Sequence, residues 1–286
     1  MLSRKTSISL ISAGFIFFSA QALALTPKKA ESLAANSAVG NQNALTELIS
    51  YANKGEPAAQ YWLGVYYSLK DAPDKSVYWY KKAAGQGFSK ASLSLGIAYF
   101  EGKGVPINYT ESARWYKQSA EAGNTIAQYN LAIYYDLGWG VTQDHSKAIY
   151  WYKKAAKKDN AKAQYNLGVA YYNGIGLPQS LPKAVTWWRK AAAGNDPRAQ
   201  FDLGVLYYRG HGVPQNIVNA KTWWEKSAQQ DNPDAEYNLG TLYYKGISVE
   251  KNIKTAMKWW QLASTKGKPL ANDVLDLRPY NTPETQ

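Results

Sequence analysis

A short string recurs along the chain at a nearly fixed interval, and this recurrence constrains the fold more than any other feature. AQYWLG begins at Ala59, ASLSLG at Ala91, AQYNLA at Ala127, AQYNLG at Ala163, AQFDLG at Ala199 and AEYNLG at Ala235, with spacings of 32 residues once and 36 residues four times. Within a unit, apolar or small residues stand at the opening alanine and four, five and eight positions later. Ala163, Leu167, Gly168 and Tyr171 show the pattern, which is one face of a helix at 3.6 residues per turn. A turn with two glycines follows: Gly102/Gly104, Gly138/Gly140, Gly174/Gly176 and Gly210/Gly212. A second helical pattern comes next, with Ala148, Trp151/Tyr152 and Ala155/Ala156 repeated as Ala184, Trp187/Trp188 and Ala191/Ala192. A two-helix unit of this size cannot bury its own apolar face, so it must stack on its neighbours.

The ends of the elements are marked as clearly as their faces. Each second helix is expected to stop near Gly87, Gly123, Asp159, Asn195, Asp231 or Gly267, residue types that tolerate the left-handed conformation of a helix C-cap. Pro57, Pro197, Pro233 and Pro269 stand at first-turn positions, where proline sacrifices no backbone hydrogen bond. Nine of the 11 tryptophans (Trp79, Trp115, Trp151, Trp187, Trp188, Trp223, Trp224, Trp259 and Trp260) fall on second helices and are expected to fill the space between repeats. Upstream, Ala44 to Lys54 reads as an unpaired second helix. Downstream, the segment at Ala271 keeps the alanine and leucine of the motif, as a terminal cap does. The expected organisation is a capping segment over 25–56, repeats over 57–88, 89–124, 125–160, 161–196, 197–232 and 233–268, and a C-terminal cap and tail over 269–286.

The pattern A…LG..Y..G.GV…A..W..KAA..G resembles the Sel1-like repeat, a relative of the tetratricopeptide repeat with a slightly longer unit. Gly102-Lys103-Gly104-Val105-Pro106 and Gly210-His211-Gly212-Val213-Pro214 carry its turn, and the resemblance runs from about Pro57 to Lys268. It departs from the pattern where the first unit is four residues short between Ser68 and Lys75, and where the sixth has Ser248 and Glu250 for the second glycine and the proline. The resemblance implies an all-α, right-handed α-solenoid of six two-helix repeats with capping helices at both ends, the first helix of each repeat lining a concave groove. It also implies a protein-binding role, as an adaptor or, as in some exported members, a toxin-neutralising immunity protein. Cys-paired secreted members, for which β-lactam binding has been proposed, differ from this chain, which has no cysteine.

The N-terminus carries Arg4 and Lys5, an apolar run from Ile8 to Ala20, and the end Ala20-Gln21-Ala22-Leu23-Ala24. This is the layout of a secretory signal peptide over 1–24, cleaved after Ala24, which places the mature chain in the periplasm or outside the cell. The run is shorter than the ~20 residues that span a bilayer, so no membrane anchor is expected after cleavage. Without cysteine there is no lipid-modified residue, disulfide, Cys-ligated metal or Cys nucleophile. The net charge of +12 becomes +12 − 2 = +10 when the signal is removed, so the basic excess belongs to the folded part and suits an acidic partner.

No motif supplies the machinery of an enzyme, a metal site or a cofactor site. The Gly-x-Gly turns lack the strand and third glycine of a dinucleotide site. His145 and His211 lie in different repeats, roughly 20 Å apart at about one helix diameter per repeat, and read as solvated turn residues. Ser180-Leu181-Pro182-Lys183 and Ser248-Val249-Glu250-Lys251 match Ser-x-x-Lys, but both are expected at second-helix starts, and neither has the Lys-Thr-Gly or Ser-Asp-Asn of penicillin-recognising enzymes. A cell-wall or β-lactam hydrolase is thus the alternative to a non-enzymatic binding scaffold.

Two columns vary where the motif is fixed. Three residues after the opening alanine stand Trp62, Ser94, Asn130, Asn166, Asp202 and Asn238; one residue before it stand Ala58, Lys90, Ile126, Lys162, Arg198 and Asp234. These are i, i+4 on one helix, and Tyr66, Tyr134, Leu206 and Arg209 are expected to continue the stripe. By resemblance to tetratricopeptide arrays the stripe faces the groove, and Trp62, Tyr66, Asn130, Tyr134, Lys162, Asn166, Arg198, Asp202, Arg209 and Asn238 are the candidate partner-binding residues. A separate basic row (Lys81/Lys82, Lys153/Lys154, Arg189/Lys190, Lys226) is expected on the convex solvated face. Export and the lack of a reader motif argue against nucleic acid. The expected protein is a monomeric, exported scaffold for a protein or peptide, with the basic excess favouring an acidic one.

Overall fold

A computed structural model describes residues 25–268. The expected signal peptide and the C-terminal cap and tail lie outside the described residues. Among the described residues there are fourteen helices and no strand. Two precede the repeats, α1 (Pro27–Ala38) and α2 (Gln42–Asn53). The repeats contribute α3 (Pro57–Leu69) and α4 (Pro73–Gly85), α5 (Ser89–Glu101) and α6 (Tyr109–Glu121), and α7 (Thr125–Leu137) and α8 (His145–Ala156). They continue with α9 (Ala161–Asn173) and α10 (Leu181–Ala193), α11 (Pro197–Arg209) and α12 (Ile217–Ala228), and α13 (Pro233–Lys245) and α14 (Ile253–Thr265). Each helix packs chiefly on the helices before and after it, which makes the array an all-α solenoid of helix pairs.

The N-terminal segment corrects one expectation. The helix over Ala44 to Lys54 is paired: α1 precedes it and packs on both α2 and α3, burying Ala30, Leu33 and Ala34 in one cluster with Leu48, Ala59 and Leu63. This helix lacks the repeat motif and buries a single large apolar side chain, Leu33, beside Ala30, Ala34 and Ser37, the last satisfied by its own helix through a 2.6 Å bond to the Leu33 carbonyl.

The helix ends fall where the sequence marks them. Gly87, Gly123, Asp159, Asn195, Asp231 and Gly267 all have positive φ, from 58° to 90°. Pro57, Pro197 and Pro233 each open a helix; Pro269 lies outside the described residues. Ser180 is the N-cap of α10, although its hydroxyl makes no capping bond. Ser248 is not at a helix start: it takes φ 56° inside the sixth turn, and Asn252 caps α14.

Helices within a repeat approach closely because glycine faces an aromatic ring. A Cβ on Gly168 would stand 2.2 Å from the Trp188 ring, and one on Gly64 would stand 2.6 Å from that of Tyr80. This ring is Tyr80, Tyr116 and Tyr152 in the first three repeats and Trp188, Trp224 and Trp260 in the last three, and the glycine is present in every repeat but the third, which has Ala132 at that position. The indole N–H groups of those three tryptophans donate to the carbonyls of Tyr165, Phe201 and Tyr237 at 3.1–3.2 Å. The tryptophans are therefore not all core. Trp115, Trp151, Trp188, Trp224 and Trp260 are buried, whereas Trp79, Trp187, Trp223 and Trp259 are partly exposed. Lys190 and Lys226 lie over the rings of Trp187 and Trp223 at 4.7 and 4.6 Å.

A buried glutamine closes four of the six joints, counting that to the N-terminal helices. Gln60, Gln128, Gln164 and Gln200 donate to the carbonyls of Ala52, Ala120, Ala156 and Ala192 near the end of the preceding helix, which satisfies acceptors a helix terminus leaves open. Ser92 is too short for this, and Gln118 from the same repeat bonds the Ala84 carbonyl at 2.7 Å. In the sixth repeat the position is Glu236, 2% exposed and met by Lys266 at 2.5 Å. There the pair replaces the Gln200–Gln230 bond of the fifth repeat.

Candidate functional site: the first-helix face

Four of the six residues in the column three after the opening alanine are engaged by tyrosines of the repeat before. Ser94 meets the hydroxyls of Tyr61 and Tyr80, Asn130 that of Tyr116, Asn166 those of Tyr129 and Tyr152, and Asp202 that of Tyr165. Burial pushes the phenols of Tyr116, Tyr152 and Tyr165 well up from their ordinary value. They stay protonated and can donate to these side chains.

Three of the candidate residues converge on the third to fifth repeats. The Arg198 guanidinium lies 4.1 Å from the centroid of the Tyr165 ring and forms a two-point pair with Asp196, Nη2 to Oδ2 at 2.7 Å and Nε to Oδ1 at 3.2 Å. Asp196 is buried and also caps α11, accepting from the backbone N–H groups of Arg198 and Ala199. The Arg198 charge is therefore matched within the chain, contrary to its expected role as a free charge on the groove. Beside it, burial pushes the Asp202 carboxyl up to about 7, with Asp196 and Asp234 acting in the same direction and the Tyr165 hydrogen bond and Arg198 opposing.

The folded-state value of Asp202 lies above the roughly 3.9 of an unfolded aspartate. The folded chain holds its proton more tightly, so this site's contribution to stability falls as pH rises from about 4 to about 7 and is constant above. At about 1.4 kcal/mol per unit, the loss between pH 5 and pH 8 is expected to be up to about 3 kcal/mol. Urea unfolding at both pH values should show that loss in the parent and a loss smaller by that amount in Asp202→Asn; equal pH slopes would refute it.

The remaining candidates scatter. Lys162 is exposed, without an ion pair among the described residues, one turn before Asn166. Arg209 is exposed in the last turn of α11. Asn238 is partly buried on α13. At the other end, Trp62 packs edge-on to Tyr61 and has Lys90 5.9 Å from its ring, while Tyr66 packs against Tyr67. Tyr134 is a correction: it is 3% exposed, and its hydroxyl shares a 2.7 Å hydrogen bond with Ser112. Leu206, at the same repeat position, is 1% exposed. A position eight residues along a helix has turned by about 80°, so the stripe runs off the open face and into the joint. Arg209, eleven residues after Arg198, is only about 20° away and returns to that face.

His145 is also not a free turn residue. It opens α8, and its Nδ1 lies 2.8 Å from Asp136 Oδ1. His211 is exposed in its turn. Among the described residues no group of three or more His, Asp or Glu side chains is placed to hold a metal, and no helix is long and apolar enough to cross a membrane.

The fold and this face define a helical-repeat scaffold, a stack of two-helix units presenting one variable face per repeat. The Sel1 repeat model matches residues 57–88, 89–124, 125–160, 161–196, 197–232 and 233–268, and the chain belongs to the Sel1 repeat family. It is similar to c5321, a protective antigen of uropathogenic Escherichia coli strains with this fold: 31% identical, TM-score 0.78, over 85% of this chain and 54% of that one. The chain thus spans about half the length of that relative. It is also similar to a Sel1 repeat protein from Oxalobacter formigenes, 28% identical with TM-score 0.70, over 75% of this chain and 88% of the other. No curated protein matches it.

Proposed function

We propose that the protein is exported and acts as a non-enzymatic scaffold, binding a protein or peptide partner along the first-helix face of the third to fifth repeats. The observation that carries this reading is the convergence there of Asn166, Arg198 and Asp202 with tyrosines of successive repeats, beside Lys162, which has no ion pair among the described residues. Repeating side chains at regular spacing suit an extended chain, since amide and phenol groups can bond its backbone at each repeat. Because Arg198 is matched by Asp196, attraction for an acidic partner rests on Lys162 and Arg209. Export rests on the N-terminal pattern, and a relative that is a protective antigen is in keeping with it. Whether the role is that of an adaptor or of a toxin-neutralising immunity protein depends on the partner.

The test is affinity capture from extracytoplasmic fractions of the producing cell, followed by titration of the captured partner. The protein recovered there should begin at Leu25. Lys162→Glu should weaken binding by roughly tenfold, and more at low salt than at high. Lys154→Glu, on the second-helix row, should leave it unchanged. The opposite result would move the working surface to the second helices.

A further inference from the structure

A cleft lies between the start of a second helix and the following repeat's first helix at two joints, and its lining differs between them. Between the third and fourth repeats it is narrow, about 110 Å³, with Asp136 and His145 joined across it at 2.8 Å. Between the second and third, the corresponding positions are Phe100 and Tyr109, joined by Tyr134 and Trp139, and aromatic rings fill the space. Between the first and second, those positions are Ser68 and Pro73, and the cleft opens to about 520 Å³. That volume falls in the roughly 300–1,000 Å³ range of small-molecule sites.

The lining of the open cleft is polar but almost charge-balanced. Tyr80, whose hydroxyl meets both Ser76 and Ser94, forms one wall together with Ser68. Glu101 is paired with Lys103 at 2.6 Å, which leaves the Asp71 carboxylate as an acceptor without an ion pair among the described residues. One repeat along, Phe100, Tyr109 and Trp139 form a triangle of ring centroids 5.7–5.9 Å apart, each residue 37–42% exposed. Such a trio facing solvent is not core packing alone.

We infer that this edge of the first three repeats is a saccharide-binding site, with one sugar unit in the open cleft and a neighbouring unit on the Phe100–Tyr109–Trp139 platform. Sugar hydroxyls both donate and accept, which matches a wall of hydroxyls beside a free carboxylate. The C–H face of a pyranose is weakly positive and is attracted to the negative face of an aromatic ring. A purely apolar peptide would cover the platform and leave the exposed Ser68 hydroxyl and Asp71 carboxylate desolvated without partners. A strongly ionic ligand would find one unpaired charge. This site is separate from the face proposed for the protein partner, and the two can fail independently.

The test is a glycan array probed with the purified protein, followed by calorimetric titration of the strongest binder. Trp139→Ala removes the platform, and Ser68→Asp with Pro73→His sets the residue types of the Asp136–His145 pair at the matching positions of the open cleft, with larger side chains that intrude on it. Each is expected to weaken binding by roughly tenfold or more, with an unchanged unfolding midpoint in the cleft variant. Lys162→Glu should bind the glycan as the parent does. An array without saturable binding would overturn the proposal. So would a glycan whose affinity is the same in the cleft variant and the parent.

Discussion

Trp188→Ala is expected to lower the stability of the protein by about 3–5 kcal/mol, whereas Trp187→Ala should cost about 1–2 kcal/mol. The two are adjacent in sequence and chemically identical, yet Trp188 is 4% exposed with its N–H bonded to the Tyr165 carbonyl, while Trp187 is partly exposed beneath Lys190. Chemical denaturation of both variants decides it, and equal losses would place the joint elsewhere. The glycine opposite gives a sharper version of the same test. Gly168→Ala alone drives a methyl group into the Trp188 ring, 2.2 Å away, and should cost about 1–3 kcal/mol. In the Trp188→Ala background the ring is gone, and the same substitution should instead stabilise by up to about 1 kcal/mol through helix propensity. A change of sign in this double-mutant cycle is a signature of direct contact.

Gly140→Ala is the second large effect. Gly140 has φ 62°, and a Cβ there would stand 2.2 Å from the backbone of Tyr109 in the preceding repeat. Left-handed strain costs an alanine about 1–2 kcal/mol, and a clash with backbone, which cannot rotate away, adds about 1–3 kcal/mol. Gly87→Ala separates the two terms, because Gly87 has φ 81° and nothing within 4 Å of the added carbon. It should show the strain alone. Urea midpoints for both variants give the difference, and equal losses would mean that the second glycine of each turn serves only its own backbone angle.

The repeat register and the left-handed helix ends at Asp159, Asn195 and Asp231 are legible in the amino-acid sequence, because each depends on a residue's own backbone preference or on a periodic face. Helix α1 is not matched to a repeat, since it shares no motif with them, although its buried Ala30, Leu33, Ala34 and Ser37 keep the i, i+3, i+4, i+7 spacing of one helix face. Which of two adjacent tryptophans faces inward is settled by the neighbouring helix, not by either residue. Tyr134 leaves the expected face because a four-residue stripe drifts around a 3.6-residue helix. On the candidate face, the charge of Lys162 is legible. The matching of Arg198 by Asp196 is easily overlooked, although an acidic residue at a helix N-cap two positions before an arginine is a usable signal. The open cleft is marked in the sequence only by the four-residue shortening of the first unit between Ser68 and Lys75, the stretch that supplies its lining residues Ser68, Asp71 and Pro73.

The exchange of a buried glutamine pair for Glu236 and Lys266 bears on how such an array can grow or shrink. Both members lie in the sixth repeat, thirty residues apart, with the lysine at its far end. Duplication or loss of that repeat as one piece carries acid and counterion together and leaves the joint neutral. A recombination breakpoint falling between them would graft a buried carboxylate onto a unit whose matching position is Gln230, Gly194 or Ala122, an uncompensated charge costing about 3–5 kcal/mol, whereas the third repeat offers Lys158 there. A seam within 236–266 therefore needs a joined unit that supplies a lysine, as the third repeat does with Lys158, and variants of different repeat number should otherwise join at the boundaries of whole repeats.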